Sequence, residues 1–368
     1  MTVETEAKLV ERLAGHRRRF DALFARYFDS LAGRPLGRGS FVPEALKTVR
    51  DMSLNGGKRL RVALVHEAAR LVTPQPVPGL DEAAISIELL QTHGLIHDDI
   101  IDDSPVRRGA PSVYYGYRRR FPDRERTALG LAILAGDLAA FLSVRVLLDA
   151  PVPGELRQAM AAAQARAGAD TVLGQFLDLE RDFGAVPDRQ ALDLVSEYKS
   201  ARYSVLAPME LGLLAAGADP ARHGEELARY ARLVGVSGQM HDDRLDLFGD
   251  ADTVGKPVGS DLREGRRSYA VCAILDATSG AERDWVESVL AAPDCPPETV
   301  ARMRDIARRH GVDERLDAEI RRAAEAASQV AARWRGRWRD DAVDFFEGLP
   351  LWGTRHRPTA PGVAHGGV

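Results

Sequence analysis

The sequence predicts an all-α fold in a single domain, because most segments carry apolar residues at helical spacing and few alternate as strands do. Pro and Gly collect at the breaks between these segments, near residues 33–39, 73–79, 151–154, 217–220 and 293–297. The helices predicted between the breaks cover, in chain order, residues 4–32, 41–54, 58–73, 80–102, 125–149, 154–184, 188–217, 223–249, 264–278, 281–292, 297–310 and 313–346.

No linker long enough to divide the chain appears, so we expect one domain over residues 1–352. Residues 353–368 are rich in Gly and Pro and lack periodicity, which predicts a disordered tail. With 368 residues, of which 45% are hydrophobic, the chain can bury a large core.

Composition also narrows the function. A formal net charge of −4 gives no reason to expect nucleic-acid binding. The two cysteines, Cys272 and Cys295, are too few for a disulfide framework, which favours a reducing cytoplasm. The N-terminus lacks the apolar core of a signal peptide. No apolar run reaches the roughly 20 residues needed to span a bilayer, so no membrane span is expected.

Two acidic segments share the pattern D-D-x-x-D, and each follows an apolar helical stretch. Positions i, i+1 and i+4 lie within an arc of about 100° on a helix, so the three carboxylates should face the same way. Such crowding becomes favourable against a hard dication, and Mg²⁺ prefers carboxylate, water and phosphate oxygens. A solvated acidic face explains one copy more easily than two. The predicted metal ligands are Asp98, Asp99, Asp102, Asp242, Asp243 and Asp246.

Basic residues that could bind a diphosphate occur at the start of a predicted helix and just after the first acidic cluster. Gly57 allows close backbone approach, and Lys58 and Arg61 open a predicted helix, whose N-terminus favours anions. Arg107 and Arg108 follow the first acidic cluster and can grip phosphate in a bidentate manner. A solvated surface pair is the alternative for either group. Weaker single candidates for the same site are Lys199, Lys256, Arg266 and Gln239.

Together these residues resemble the trans-isoprenyl diphosphate synthases over residues 56–268. The matching motifs, in the order of that family, are GGKRLR at 56–61, D-D-x-x-D at 98–102, RRG at 107–109, G-D at 136–137, G-Q-x-x-D at 174–178 and Q-x-x-D-D-x-x-D at 239–246. Lys199-Ser200 stands where the family has K-T. The resemblance implies a helical bundle around a central cavity, three Mg²⁺ ions and a homodimer.

The resemblance also implies a role for each matching residue. Asp98, Asp102, Lys199 and Asp242 would be catalytic, with the three acids ligating metal on the allylic diphosphate. Ser200, Gln239 and Arg266 would also bind substrate. Arg107, Lys199 and Lys256 would hold the allylic diphosphate, and isopentenyl diphosphate would be bound by Gly57, Lys58, Arg61, Gln91 and Arg108. Among the departures from the common pattern, Gln91 replaces a frequent His and Gly238 replaces a Phe.

The implied reaction joins an allylic diphosphate (dimethylallyl, geranyl or farnesyl) to isopentenyl diphosphate by ionisation, condensation and elimination. Cavity depth would set product length, with His93 and Gly94, one turn before Asp98, as its floor. Because Gly94 leaves room, we expect geranylgeranyl diphosphate, with farnesyl or longer products as alternatives. For His93, the competing interpretation is a core histidine bonded to a backbone carbonyl.

Two other functions remain open. A class I terpene cyclase shares the helical fold and a first acidic motif, but it normally carries an N-x-x-x-S-x-x-x-E motif in place of the cluster at Asp242. A non-catalytic regulatory subunit of a synthase often loses metal-binding acids, and both clusters are intact here.

Overall fold

Helices form almost all of the regular structure, which confirms the all-α prediction. The computed structural model describes residues 3–32, 39–249, 258–290, 292 and 295–355. The first half of the chain contains α1 (Val3–Ala32), α2 (Phe41–Leu54), α3 (Leu60–Val72), α4 (Leu80–Ile101), β1 (Val106–Arg107), β2 (Ala110–Pro111), α5 (Val113–Arg120), α6 (Glu125–Leu148) and α7 (Gly154–Arg181).

The second half begins with one long rod, in which α8 (Arg189–Ser196) continues through a π-helical segment (Glu197–Leu206) into α9 (Ala207–Ala215). A short 3₁₀ turn (Pro220–His223) leads into α10, which carries the second acidic cluster. The remaining helices are α10 (Gly224–Phe248), α11 (Ser260–Arg263), α12 (Tyr269–Ala277), α13 (Gly280–Leu290), α14 (Pro297–Arg309), α15 (Val312–Ala332) and α16 (Asp340–Gly353).

The helices of the structure differ from the predicted ones in several places. The helix expected over 313–346 is two helices, separated by a turn in which Gly336 takes a φ of +77°. The helix expected from residue 264 begins only at Tyr269, because Gly265 takes a φ of +65°. Helix α5 was not predicted; it starts after Ser112, whose hydroxyl accepts a hydrogen bond from the Tyr115 N–H. The predicted tail lies outside the described residues beyond residue 355.

Helix α4 lies at the centre of the bundle and is buried along most of its length. It packs chiefly against α6, which presents small side chains to it and so allows close approach. Helices α1, α2, α5, α7 and α9 add apolar side chains to this cluster. A second cluster joins α3, α9, α10, α15 and α16, and a third joins α8 and α10 to α11–α15. Both acidic segments therefore lie on helices whose packing fixes their orientation.

Helix α6 is long and apolar enough to span a membrane by length and composition alone. One such helix is weak evidence, because the core helix of a globular protein passes the same test. Here the alanine face of α6 is fully buried within the bundle. Those residues are Ala128, Ala132, Ala135 and Ala139.

Candidate active site

The first acidic cluster lies at the C-terminal end of α4, and its three carboxylates differ in burial. Asp99 is fully buried and accepts a hydrogen bond from Arg107 Nε at 2.8 Å. Asp102 lies just past the last helical residue, where it caps α4. Asp98 and Asp102 contact cations from more distant parts of the chain, and Asp98 Oδ2 also lies 3.5 Å from the Nη2 of Arg107, the arginine that binds Asp99.

Two cations from elsewhere in the chain meet the outward members of this cluster. Lys199 Nζ lies 3.2 Å from Asp98 Oδ1 and 2.5 Å from Asp178 Oδ2. Arg266 Nη2 lies 2.5 Å from Asp102 Oδ2. These contacts join α4 to the π segment and to the loop before α12. Sequence reasoning noted Asp178 only as part of the G-Q-x-x-D motif and did not place it in the site.

Burial and charge act against each other in this network. Burial raises the pKa of Asp99 and Asp102, although Arg107 and Arg266 respectively oppose the shift. Burial disfavours the charged form of Lys199, but the Asp98 and Asp178 carboxylates outweigh it and raise the pKa of this ammonium. The cations consequently stay charged. Because the pKa values of Asp99 and Asp102 are raised, nearby positive charge is required to keep these two carboxylates ionised.

Within the RRG motif, Arg108 and Gly109 form the two-residue turn of a small hairpin. Val106 pairs with Pro111 and Arg107 pairs with Ala110, while Arg108 and Gly109 take φ values of +52° and +77°. Two successive positive φ values are typical of a type I′ turn, which is strained for a non-glycine residue such as Arg108. The turn directs Arg107 to Asp99, while Arg108 donates to the carbonyl of Asn55 at 2.8 Å.

A π-helical segment presents Lys199. A Cβ added to Gly174 on α7 would lie less than 3.0 Å from the backbone nitrogen of Lys199, and one added to Gly235 on α10 would lie equally close to Ala201. Both glycines thus let neighbouring helices touch the wide π turn. Such turns are rare and often occur at functional sites.

The second acidic cluster lies near the end of α10 and is held by different partners. Asp243 Oδ1 accepts from Gln239 Nε2 at 2.8 Å, and its Oδ2 accepts from the backbone N–H of Tyr269 at 2.9 Å. Asp246 accepts from the Ser260 hydroxyl at 2.5 Å and from a backbone N–H at the start of α11 at 3.0 Å. These two acids tie α10 to the segment after residue 258.

Asp261 was missed by sequence reasoning. Its backbone N–H binds Asp246, and its carboxylate lies close enough to Asp243 and Asp246 to be repelled by both. Burial and these neighbours raise the pKa of Asp261 well above its ordinary value, and burial also raises the pKa of Asp243. No D-D-x-x-D pattern contains Asp261, so only the fold brings it to the cluster.

The predicted isopentenyl site gathers cations near Gln91, which lies about two helical turns before Asp98 on α4. Arg61 Nη2 donates to the Tyr203 hydroxyl at 2.9 Å, and that hydroxyl donates to Gln91 Oε1 at 2.9 Å. A Cβ on Gly57 would meet the Arg108 guanidinium at 3.4 Å. Partial burial lowers the pKa of Arg108, and the nearby guanidinium groups of Arg59, Arg107 and Arg61 lower it further.

Lys58 departs from the expected position. Gly56, Gly57 and Arg59 all take positive φ values, so the chain turns sharply and α3 begins only at Leu60. Lys58 and Arg61 therefore do not share a helical face: the charge of Asp242 acts on Lys58, whereas Arg61 contacts Tyr203. Burial lowers the pKa of Lys58, and Asp242 opposes this shift.

A cavity of about 60 Å³ adjoins both networks. Its polar wall joins Lys199 and Arg266, which contact the first acidic cluster, to Asp243 of the second cluster. Its charged and polar lining includes Asp178, Arg181, Lys199, Ser200, Gln239, Asp243, Asp261, Arg266 and Ser268.

The acids fit a divalent metal that also binds a ligand, and they do not form a preassembled cage. Within the described residues, no three acidic, histidine or cysteine side chains already converge on one metal-sized point. Mg²⁺ needs only one or two carboxylates, because it keeps waters and shares phosphate oxygens. In the described part of the chain, the buried Asp99 Oδ2 accepts no hydrogen bond, whereas Asp98 Oδ1 faces the Lys199 ammonium at 3.2 Å.

The two predicted chain-length residues lie on α4 opposite α6. His93 Nδ1 is 3.2 Å from the Gly136 carbonyl oxygen, and its ring meets that of His97 at a centroid distance of 4.5 Å. A Cβ added to Gly94 would meet no atom within 4 Å, and the same is true at Gly238.

Lys256, a predicted ligand of the allylic diphosphate, lies outside the described residues.

Comparison with known proteins agrees with this arrangement. A family model described as polyprenyl synthetase matches residues 43–306. The farnesyl diphosphate synthase of Geobacillus stearothermophilus is 31% identical over 274 residues, covering 72% of this chain and 83% of that protein. The geranylgeranyl diphosphate synthase of Sulfolobus acidocaldarius is 30% identical over 275 residues, covering 74% and 79% respectively.

A solved structure extends the match to nearly the whole chain. Geranylgeranyl pyrophosphate synthase from Corynebacterium glutamicum, complexed with isoprenyl diphosphate and magnesium, gives a TM-score of 0.79 at 26% identity and covers 97% of this chain and 100% of that one. The chain therefore belongs to the polyprenyl synthetase family and is a prenyltransferase of the trans-isoprenyl diphosphate synthase class.

Proposed function

We propose that the chain condenses an allylic diphosphate with isopentenyl diphosphate and yields mainly geranylgeranyl diphosphate. Dimethylallyl, geranyl and farnesyl diphosphate are the proposed starters. The observation that carries this proposal is a pair of neighbouring anion sites, one at the end of α4 around Asp98 and Asp102 and one around Gly57, Arg61 and Arg108. One site combines acids with cations, as a metal-bound diphosphate requires, and the other gathers cations around Gly57 and Arg108.

The acidic site suits the allylic diphosphate. Asp98, Asp102 and Asp242 would hold Mg²⁺, three ions in all by family resemblance, with Asp99, Asp243 and Asp246 supporting them. Bound Mg²⁺ would supply the positive charge that stabilises a departing diphosphate. A divalent ion also fits Asp99 Oδ2, a buried oxygen that accepts no hydrogen bond among the described residues.

The protein's own cations would hold the same diphosphate. Lys199 and Arg266 contact the outward acids, and Arg107 contacts Asp99. When metal neutralises these acids, their side-chain cations can turn to phosphate oxygens within the same site. Ser200 and Gln239 line the adjoining cavity, and Lys256 is proposed to complete the set.

The cationic site suits isopentenyl diphosphate. Arg61 Nε is a buried donor without a hydrogen-bond partner among the described residues, which fits an incoming anion. Gln91 is held by Tyr203, and Arg108 lies against Gly57. A diphosphate here would offset the mutual repulsion of the guanidinium groups, and no metal is needed for this.

The region before Asp98 supports a twenty-carbon product. The open space beside Gly94 gives a growing chain room along α4. The His93 ring, in contrast, contacts the Gly136 carbonyl and the His97 ring. His93 thus also behaves as the core histidine that the sequence left open. Farnesyl or longer diphosphates remain the alternatives.

We propose a homodimer in the cytoplasm, with the exposed faces of α6 and α7 as its interface. Monomeric proteins seldom expose many large apolar side chains on adjacent helices, and a second copy would cover them with a matching face. The side chains concerned are Ile133, Leu134, Phe141, Leu148, Val172, Leu173, Phe176 and Leu179. Sedimentation of the purified chain tests this, and a monomer at micromolar concentration would contradict it.

The function is tested by incubating the purified chain with Mg²⁺, isopentenyl diphosphate and each starter, followed by mass spectrometry of the products. We expect geranylgeranyl diphosphate from all three starters and no product when EDTA is added. Geranylgeranyl diphosphate alone serves as a control, since a cyclase would convert it to hydrocarbon. No elongation from any starter, or hydrocarbon from the control, would contradict the proposal.

A further inference from the structure

Trp352, the penultimate residue of α16, covers the side chain of Lys58. Lys58 Nζ lies 4.9 Å from the centroid of the Trp352 ring, and Trp352 itself is only 7% exposed. Helix α16 packs against α3, which begins two residues after Lys58. Residues almost 300 positions apart in sequence are thus brought together at the edge of the proposed isopentenyl site.

The Lys58 ammonium has two attractive neighbours. The Asp242 carboxylate attracts it electrostatically, and the face of the indole attracts a cation through its quadrupole. Lysine carries a compact charge on a flexible four-carbon stem, which leaves the ammonium free to adopt many positions unless something restrains it. The sharp turn at Gly56 and Gly57 fixes where that stem begins.

We propose that Trp352 is a positioning residue, whose indole face holds the Lys58 ammonium where isopentenyl diphosphate is captured. The inference rests on the proposed role of Lys58 in that site. It gives the last turn of the final described helix a task in substrate capture. Trp352 need not touch the substrate, because it acts through Lys58.

The kinetic consequence is selective. Loss of the indole face lets the ammonium move away, so capture of isopentenyl diphosphate weakens. The allylic diphosphate binds among different residues, so its KM stays unchanged. We expect Trp352→Leu to raise the KM for isopentenyl diphosphate about three- to tenfold, as the usual strength of a cation–π contact predicts, with kcat and the allylic KM within twofold of wild type.

Two variants serve as controls. Trp352→Phe keeps an aromatic face and should restore most of the affinity that the leucine variant loses. Trp285→Leu removes an indole that also lies under a cation, with the Arg302 guanidinium 4.1 Å from its ring centroid, but it lies on α13 outside the site. Its KM for isopentenyl diphosphate should equal that of wild type.

A spectroscopic measurement uses Trp352 in the native chain. Inorganic diphosphate is titrated without metal, and the emission of Trp352→Phe is subtracted from that of wild type. We expect a saturable change in wild type that disappears in Lys58→Met, because the moving ammonium perturbs the indole. This readout does not depend on the stability of the leucine variant.

Clear results would overturn the inference. The positioning role is refuted if Trp352→Leu leaves the KM for isopentenyl diphosphate unchanged, or if this variant loses kcat and both affinities equally. It is also refuted if the emission change seen in wild type survives in Lys58→Met. If the wild type makes no prenyl product, the proposed function fails instead. Normal turnover with no Trp352 effect leaves that function standing and rejects only this inference.

Discussion

The two acidic clusters have the same D-D-x-x-D pattern but different surroundings. In the first, Asp98 and Asp102 contact side-chain cations that come from other parts of the chain, Lys199 and Arg266. Side chains of this kind can turn toward a new anion. The first cluster is therefore arranged to exchange its partners when metal and diphosphate arrive.

In the second cluster, Asp243 and Asp246 accept hydrogen bonds from backbone N–H groups of Tyr269 and Asp261. Backbone donors cannot turn away without moving the chain, so these two acids serve mainly to hold α10 against the following loop. Asp242 is the member whose charge acts across the site, on Lys58. A shared motif thus specifies how many acids are present, whereas the fold decides which groups each acid contacts.

The largest expected effect is the loss of turnover when a proposed metal ligand is removed. Asp98→Ala and Asp242→Ala should each lower kcat by about 10³-fold or more, because each loses charge stabilisation of the leaving diphosphate. Steady-state kinetics measure this, and circular dichroism should show an intact fold. The matched control is Asp103→Asn beside the first cluster, where the carboxylate accepts from the Tyr115 hydroxyl; it should keep near-normal turnover.

The exchange of partners at the first cluster depends on the π segment. Gly174→Ala should lower kcat by about 10²-fold, because the added Cβ displaces the backbone that presents Lys199. Gly168→Ala lies on the same helix and would only meet Leu90 at an ordinary 3.6 Å. Equal kinetics for the two variants would show that the close approach at Gly174 has no bearing on Lys199.

The scaffolding role of the second cluster predicts a difference in stability. Asp246→Ala should lower the free energy of unfolding by about 1–3 kcal/mol, since it leaves the Ser260 hydroxyl and a buried backbone N–H without their acceptor. Asp98→Ala should change it far less. Urea denaturation of both variants checks the comparison, and a larger loss in Asp98→Ala would reverse our assignment of the two clusters.

The smallest expected effect is on product length. His93→Ala should shift some product beyond twenty carbons by removing a ring near the proposed cavity floor, and Gly94→Phe should shorten the product toward fifteen carbons by filling open space. Mass spectrometry of the products measures both shifts. Identical distributions in wild type and both variants would refute the proposed floor.

Much of the fold could be predicted from sequence, since helical periodicity is a local signal and Pro and Gly mark its breaks. The order and chemistry of the motifs also predicted the acids and cations of the site. The pairing of Asp99 with Arg107 was not predictable, because it depends on the Arg108–Gly109 turn that brings Arg107 to it. The same holds for the π segment, whose wide turn needs Gly174 and Gly235 on other helices.

The central claim is that acids from both clusters hold one metal-bound diphosphate. Calorimetric titration of diphosphate with excess Mg²⁺ into wild type, Asp98→Asn, Asp242→Asn and the double variant tests it most directly. The account predicts that each single variant weakens binding at least tenfold and that the double variant loses less than the product of the two, because the ligand is shared. Wild-type affinity in either single variant would contradict it.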